Sequence, residues 1–308
     1  MHLSIVVPVY NEEKNVVILY KELKTVLGKF KKDYEIIFVD DGSTDSTFKE
    51  LERLNKNDRR LRIIRFRKNF GQTAALDAGF KHAKGKVIVS IDADLQNDPT
   101  DIPKLLIKLE EDYDVVSGWR KNRKDTTSKN FASRGAHKLR RLLFKDQIHD
   151  SGCTLKAYRR ECFEGLDLYG EMHRFIPALL SWKGFRITEI VVKHRARKYG
   201  KTKYSWRRIV KGFLDMLVVK FWMQYSTRPV HLFGSLGLLL GSIGFLSALY
   251  LAIQKLVFRQ SIGNRPLLLL SVLFIIVGLQ FLMFGILADI MIKDYYKKDR
   301  PYKIAREI

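Results

Sequence analysis

At 308 residues and a net charge of +23, the chain has room for one sizeable domain plus appendages, and its basicity first raises a nucleic-acid partner. The charge distribution argues against that partner: residues 1–192 carry 36 basic and 28 acidic side chains, whereas residues 193–308 carry 20 and 5 together with the long apolar runs, so the excess reads as charge facing anionic lipid. Two cysteines, Cys153 and Cys162, have no metal-ligand spacing around them and exclude a disulfide scaffold; they read as free thiols in a reducing compartment.

The chain begins without a charged leader and runs directly into an apolar strand, which predicts no secretory signal and a cytoplasmic N-terminal part. Strand patterns at residues 4–9, 34–39, 61–66, 87–91 and 114–117 alternate with helices that start near Glu12, Thr44, Gly71 and Pro99. This βαβ rhythm predicts an α/β domain with a mostly parallel sheet between two helix layers. Each strand but the last delivers polar residues at its carboxyl end: Tyr10-Asn11-Glu12, Asp40-Asp41-Gly42-Ser43, Lys68-Asn69, and Asp92 with Asp94. In open α/β sheets that rim is where ligands bind.

The run from Val87 to Ile91 is β-branched and reads as a central strand covered on both faces. Asp92 and Asp94 emerge from it one residue apart, an arrangement of hard oxygens that suits Mg²⁺ or Mn²⁺ bridged to a diphosphate; Gln96 could add a neutral oxygen. The alternative is an acidic turn in which Asp98 caps the helix opened by Pro99. The Asp40–Asp45 stretch is open to two readings as well. Gly42 permits a positive φ, and Ser43, Thr44, Asp45 or Ser46 could cap the next helix. Yet two adjacent aspartates exceed what a cap needs, and a carboxylate there can accept from a base N–H or from ribose hydroxyls. Gly71 and Gly79 form neither a dinucleotide fingerprint nor a phosphate loop.

Four segments, Val6-Val-Pro-Val-Tyr-Asn-Glu12, Val39-Asp-Asp-Gly-Ser-Thr-Asp45, Lys68-Asn-Phe-Gly-Gln-Thr-Ala-Ala-Leu76 and Asp92-Ala-Asp-Leu-Gln96, together resemble the inverting nucleotide-sugar glycosyltransferases of family 2, which have the GT-A fold. Asp150-Ser-Gly-Cys-Thr-Leu-Lys-Ala-Tyr-Arg-Arg160, Phe175-Ile-Pro-Ala-Leu-Leu-Ser-Trp182, Gly200-Lys-Thr-Lys-Tyr204 and two apolar runs resemble the polyisoprenyl-phosphate glycosyltransferases, the group that contains dolichol-phosphate mannose synthase. The resemblance implies that Pro8, Tyr10, Glu12 and Asp41, with Asp40 and Lys68 beside them, bind a nucleotide sugar. It implies that Asp92, Asp94 and Gln96 hold Mg²⁺ or Mn²⁺ and the diphosphate, and that Lys203 reaches the phosphates from the other side. Arg120 and Arg134 take the places of arginines that hold the lipid phosphate, for which guanidinium forks are suited. Where some relatives carry an acidic residue cast as a catalytic base, this chain has Cys153; Asp150 is the nearest carboxylate, and its role stays open.

Residues 193–220 carry ten Lys or Arg and one acid, Asp215. Trp206, Ile209, Val210, Phe213, Leu214, Leu217 and Phe221 recur there at helical spacing opposite Arg207, Arg208 and Lys211, the pattern of a helix in the headgroup plane; a helix packed on the domain is the alternative. The runs 232–253 and 267–288 each hold 22 residues without a formal charge. As helices each covers about 33 Å, enough to cross a bilayer. Gly237 and Gly241 would allow close approach to the second span or to another subunit, and so a possible homo-oligomer. Basic flanks outside the two spans place the catalytic domain and both termini in the cytoplasm, in a plasma or inner membrane.

The expected organisation is therefore a catalytic domain at 1–200, an amphipathic interfacial helix at 201–229, and two transmembrane helices at about 230–256 and 266–292 with a basic tail. The expected activity is inverting transfer of a sugar from a UDP- or GDP-sugar to a polyisoprenyl phosphate. Two rivals compete with it: a same-fold transferase acting on a glycolipid or polysaccharide, and a non-catalytic membrane-surface binding protein.

Overall fold

The computed structural model describes residues 2–30, 33–121, 148–196, 207–225, 228–263 and 265–298. Arg134, Lys203 and the Gly200–Tyr204 motif lie outside these residues. By its internal contacts the chain divides into two compact units, Met1–Lys220 and Phe221–Ile308.

The first unit is built on a seven-stranded sheet: β1 (Leu3–Val9), β2 (Tyr34–Asp40), β3 (Leu61–Arg65), β4 (Val87–Ser90), β5 (Val115–Trp119), β6 (Lys156–Arg159) and β7 (Ile187–Val191). Their spatial order is β3-β2-β1-β4-β6-β5-β7. All neighbouring pairs run parallel except those of β6, which is antiparallel to both β4 and β5. Every residue of β1 and β2 is buried, as a central strand covered on both faces requires. Helices α1 (Val16–Leu27), α2 (Thr47–Asn55), α3 (Gln72–His82) and α4 (Ile102–Glu110) follow the first four strands, and α5 (Ile176–Trp182) precedes β7. α1 buries Val16, Leu19, Tyr20, Leu23 and Leu27, one stripe at helical spacing. α3 lies so close to β1 that a Cβ at Gly79 would come within 2.3 Å of Val6 Cγ1.

β1 lies between β2 and β4, so successive strands have been added to both sides of it. This is the topological switch point, where the loops leaving β1 and β4 diverge and open a crevice. The expected mostly parallel sheet is present. β6 and β7 were not expected: β6 is four residues, Lys-Ala-Tyr-Arg, with a charge at each end, and its first three residues are buried. α1 starts at Val16 rather than near Glu12, because residues 10–15 are drawn into loop contacts described below.

Helix α6 spans Arg207–Tyr225. On it Leu214 and Leu217, two members of the apolar stripe, are exposed, while Met216 and Val219 are buried. The second unit is a helical hairpin of α7 (Pro229–Leu256) and α8 (Pro266–Lys298), both long and apolar enough to cross a membrane. Their contact is backbone on backbone: a Cβ at Gly237 would sit 2.6 Å from the Gly278 carbonyl oxygen, and one at Gly244 2.7 Å from that of Ser271. A Cβ at Gly241 would meet nothing within 4 Å. Small residues thus seat the two spans on each other, while Leu238, Leu239, Phe245 and Leu246 on α7 and Leu279, Phe284 and Leu287 on α8 stay exposed.

Candidate active site

The loops at the carboxyl ends of β1 and β2 are laced together. Asn11 N–H donates to Ser43 Oγ (3.0 Å), Glu12 N–H to Thr47 Oγ1 (2.8 Å) and Thr44 N–H to Asn11 Oδ1 (2.8 Å). Asp45 accepts from the N–H groups of Glu13 and Thr47, so it braces the first loop and the start of α2 at once. The short polar residues of the Asp40–Asp45 stretch therefore satisfy two orphaned backbone segments.

Asp41 ties in a third loop. Its carboxylate accepts N–H bonds from Phe70 (2.6 Å) and Gly71 (2.9 Å), just before α3. Burial pushes this carboxyl up, against those two bonds. Gly42, at φ +69°, has no room for a side chain: a Cβ there would fall 2.4 Å from the Lys68 carbonyl carbon. Asp40 is fully buried, accepts from Ser43 N–H (3.0 Å) and lies 3.5 Å from Arg65. Lys68 is exposed, 5.2 Å from the Phe70 ring centroid.

These loops wall a cleft of about 350 Å³ at the switch point. Pro8, Tyr10, Glu12, Asp41, Asp92 and Asp94 line it together with Asn69, Gly71, Gln72 and Glu171. Asp40, Lys68 and Gln96 do not line it. A larger hollow of about 590 Å³ lies at the amino ends of the strands, lined by His2, Lys86, Arg159 and Glu161 among others. The converging loops and the paired carboxylates belong to the smaller cleft, which makes it the candidate site.

Asp92 is held from two sides. Gln72 Nε2, at the first residue of α3, donates to its Oδ1 (2.8 Å), and the Thr154 hydroxyl bonds it from the loop that leads into β6. Burial, and after it the neighbouring Asp94 carboxylate, push the Asp92 carboxyl well above the usual carboxylate range. Asp94 Oδ1 accepts the Gln96 N–H (3.1 Å), closing a turn in which Leu95 takes φ +62°. Asp98, meanwhile, accepts from Thr100 N–H (3.0 Å) ahead of Pro99, so the capping role exists beside the acidic pair, on a different aspartate.

The donor set fits a divalent cation of the hard, oxygen-seeking kind. Mg²⁺ is usually held by one or two carboxylates plus substrate phosphates, and two carboxylates one residue apart line this cleft, one of them pushed up by burial first and by its neighbour second.

Across β6 lies a second cluster. Arg120, just past β5, is gripped by Asp150 in a fork: Nε to Oδ2 at 2.7 Å and Nη2 to Oδ1 at 3.0 Å, with the Arg120 N–H adding a third bond at 3.2 Å. The two side chains are 10% and 8% exposed. Burial pushes the Asp150 carboxyl up, but the guanidinium outweighs it and holds the carboxyl down at about 2. Trp119 stacks on His149 with ring centroids 4.4 Å apart, and His149 bonds Glu189. Cys153 and Cys162 are buried free thiols, and Cys153 Sγ points at Asn97 Oδ1 (3.6 Å).

A glycosyl transferase family 2 model matches residues 4–166. The chain belongs to glycosyl transferase family 2. A dodecaprenyl-phosphate galacturonate synthase from Rhizobium johnstonii is 41% identical over 100% of this chain and 93% of its own length. An undecaprenyl-phosphate 4-deoxy-4-formamido-L-arabinose transferase from Proteus mirabilis is 34% identical over 95% of this chain and 89% of its own. Among solved structures, glucosyl-3-phosphoglycerate synthase from Mycobacterium tuberculosis, in complex with Mn²⁺ and UDP-glucose, superposes with a TM-score of 0.55 at 19% identity, covering 71% of this chain and 78% of that one. At that identity the likeness is one of fold. The family 2 enzyme is thus a glycosyltransferase with a GT-A domain and two apolar C-terminal helices.

Three residues that line the cleft or bond Asp92 had no role assigned from sequence: Gln72, Thr154 and Glu171. Gln72 stood inside a quoted motif, but its contact with Asp92 depends on how α3 packs. Thr154 lies two residues ahead of β6, an antiparallel strand that the alternating pattern did not announce. Glu171 reaches the cleft from a loop with no motif around it.

Proposed function

We propose that this glycosyltransferase moves a sugar from a nucleoside-diphosphate donor to a polyprenyl phosphate at a membrane surface, with inversion at the anomeric carbon. The observation that carries the reading is that two polyprenyl-phosphate enzymes align with nearly the whole chain, apolar helices included.

Chemistry then narrows the roles. A phosphomonoester has a second pKa of about 6, so the lipid phosphate is already an oxyanion near neutral pH and attacks the sugar C1 directly. The new bond joins C1 to the phosphate oxygen, the bond from C1 to the donor diphosphate breaks, and the nucleoside diphosphate departs with the electron pair. No general base is needed, and Asp150, ionised and clasped by Arg120, is poorly matched to be one. Its role is to hold Arg120 toward the acceptor phosphate. Pro8, Tyr10, Glu12 and Asp41 shape the nucleoside pocket. Asp92 and Asp94, with Gln96 as the third residue the resemblance implies, would hold Mg²⁺ or Mn²⁺ at the diphosphate, and a cation there would offset charge on the leaving group. Arg134 and Lys203 retain the acceptor and donor phosphate roles that the resemblance implies.

We assign α6 to the headgroup plane on the exposure of Leu214 and Leu217. The basic flanks outside the two apolar helices support a cytoplasmic position for both termini. A cysteine at Ser261 should then react with an impermeant thiol reagent on intact cells while one at Thr25 stays silent; the reverse pattern refutes this orientation.

The substrate reading is tested by incubating membranes that hold the protein with a panel of radiolabelled UDP- and GDP-sugars and polyprenyl phosphate. One donor should carry label into the lipid phase. Label that enters only glycolipid or polysaccharide would assign a different acceptor.

A further inference from the structure

Lys156 is a charged side chain in a place that ordinary lysines avoid. It is 2% exposed, and it opens β6, the antiparallel strand wedged between β4 and β5. Its backbone pairs with Ser90, the last residue of β4, and with Ser117 of β5. Because β6 runs against its neighbours, its first residue stands at the rim where β4 delivers Asp92 and β5 delivers Arg120.

The ammonium folds back on its own approach loop. Nζ donates to the Ser151 carbonyl (3.1 Å) and to the Cys153 carbonyl. Between and beside these two carbonyls are the groups that reach the site. Asp150 clasps Arg120. Thr154 bonds Asp92, accepts from Asn97 Nδ2 (3.1 Å), and receives the Ser90 hydroxyl on its carbonyl (2.6 Å). Leu155 takes the Gly118 N–H on its carbonyl (2.9 Å). The loop is therefore a bracket with one arm on the donor carboxylate and another on the acceptor arginine, and Lys156 closes it from beneath. Burying an ammonium is costly unless it is paired and hydrogen-bonded, and an apolar residue could fill the same core volume. A requirement to fix this loop accounts for a long-chain hydrogen-bond donor here.

We propose that Lys156 is a positioning residue for the transfer step: its buried ammonium locks the Asp150–Leu155 loop so that Arg120 and Asp92 face each other in fixed register across β6. The inference rests on the acceptor role of Arg120 given above. The two arms are not equally dependent on it. Asp92 keeps the Gln72 bond when the loop loosens, whereas the hydrogen bonds of the Arg120 guanidinium among the described residues all go to Asp150.

The test uses the full-length protein in lipid nanodiscs, with Lys156→Met to keep the volume and remove the donor, and Lys156→Gln to restore an uncharged donor. In a wild-type enzyme that transfers sugar to polyprenyl phosphate, Lys156→Met should lose about 10- to 100-fold in turnover at saturating donor, the scale of a 1 Å misplacement. The KM for polyprenyl phosphate should rise, and Lys156→Gln should recover part of both. Calorimetric titration of UDP and of GDP in the presence of Mn²⁺ should give, for the nucleotide the wild type binds, a dissociation constant within about threefold of wild type, because Gln72 still holds Asp92. Unchanged turnover and acceptor KM in Lys156→Met would overturn the proposal while leaving the acceptor reading intact. An equal loss of nucleotide binding and turnover, or failure of both variants to fold by circular dichroism, would assign Lys156 to the core rather than to the site. A wild type that labels no polyprenyl phosphate with any donor would instead refute the underlying reading.

Discussion

Arg120 and Asp150 form a buried, forked ion pair, bonded at 2.7 and 3.0 Å, on the side of β6 away from the Asp92 and Asp94 carboxylates. A carboxyl held at about 2 is depressed below its unfolded value of 3.8. Its contribution is therefore present above that unfolded value and lost as pH falls toward the folded one. The shift corresponds to about 2 kcal/mol at neutral pH. Asp150→Asn should lower stability by about that much at pH 7 and by much less near pH 2, as followed by denaturant titration in detergent.

The same substitution separates a clasp from a base. If Asp150 holds Arg120, Asp150→Asn should raise the KM for polyprenyl phosphate and leave the pH profile of turnover unchanged between pH 6 and 8. Arg120→Ala should reduce transfer by about 10- to 150-fold, from the roughly 1.5–3 kcal/mol of a charge-assisted contact, and Lys should rescue it only in part. Loss of an ionisation from the pH profile in Asp150→Asn would return Asp150 to the role of base.

Metal removal addresses the cleft itself. Asp92 and Asp94 line the cleft together, two hard oxygen donors of the kind that hold a divalent cation against a diphosphate. EDTA should abolish transfer, and Mn²⁺ or Mg²⁺ should restore it. Asp94→Ala should stay inactive with either ion, and undiminished turnover in EDTA would remove the carboxylates from that role.

Asp41 bonds the backbone N–H groups of Phe70 and Gly71, so it shapes the donor pocket through the loop before α3 as well as through its own position in the wall. Asp41→Asn keeps an acceptor for one N–H and offers its amide donors to the other. The donor KM should rise about tenfold, within the range for a lost charge-assisted hydrogen bond. Both Gly42 (φ +69°) and Gly71 (φ +97°) would strain an alanine, but only at Gly42 does the new Cβ also meet backbone, at 2.4 Å, so Gly42→Ala should be more damaging than Gly71→Ala, where a Cβ meets nothing within 4 Å.

In the helical hairpin the two glycines singled out from sequence are not equivalent. Gly237→Ala drives a methyl to 2.6 Å from the Gly278 carbonyl, whereas Gly241→Ala points it into open space. Fluorescence-detected size-exclusion chromatography over a temperature ramp should show a clear loss for Gly237→Ala and little change for Gly241→Ala.

What the sequence made legible follows from how each feature is encoded. β1, β2 and β4 are apolar, β-branched runs of four to seven residues bounded by turn chemistry, so strand and rim were both readable, and with them Tyr10, Asp41, Asp92 and Asp94. β6 was not readable, because its buried face includes a lysine and its direction depends on where the chain re-enters the sheet. For the same reason Arg120 and Asp150 could each be singled out, but not their union, which spans 30 positions and is made through that insertion. Ser43 and Asp45 had the signature of caps, and what they do is indeed backbone satisfaction; the sequence could not tell that part of the backbone satisfied belongs to a neighbouring loop, at Asn11 and Glu13.

The central claim is that a lipid monophosphate displaces a nucleoside diphosphate from the sugar. Mass spectrometry of the lipid and nucleotide products, made by the purified protein from its labelled donor and synthetic polyprenyl phosphate, tests this most directly. The account predicts a polyprenyl monophosphate sugar together with one equivalent of nucleoside diphosphate, and no product when polyprenol replaces the phosphate. A polyprenyl diphosphate sugar with released nucleoside monophosphate, or equal transfer to polyprenol, would contradict it.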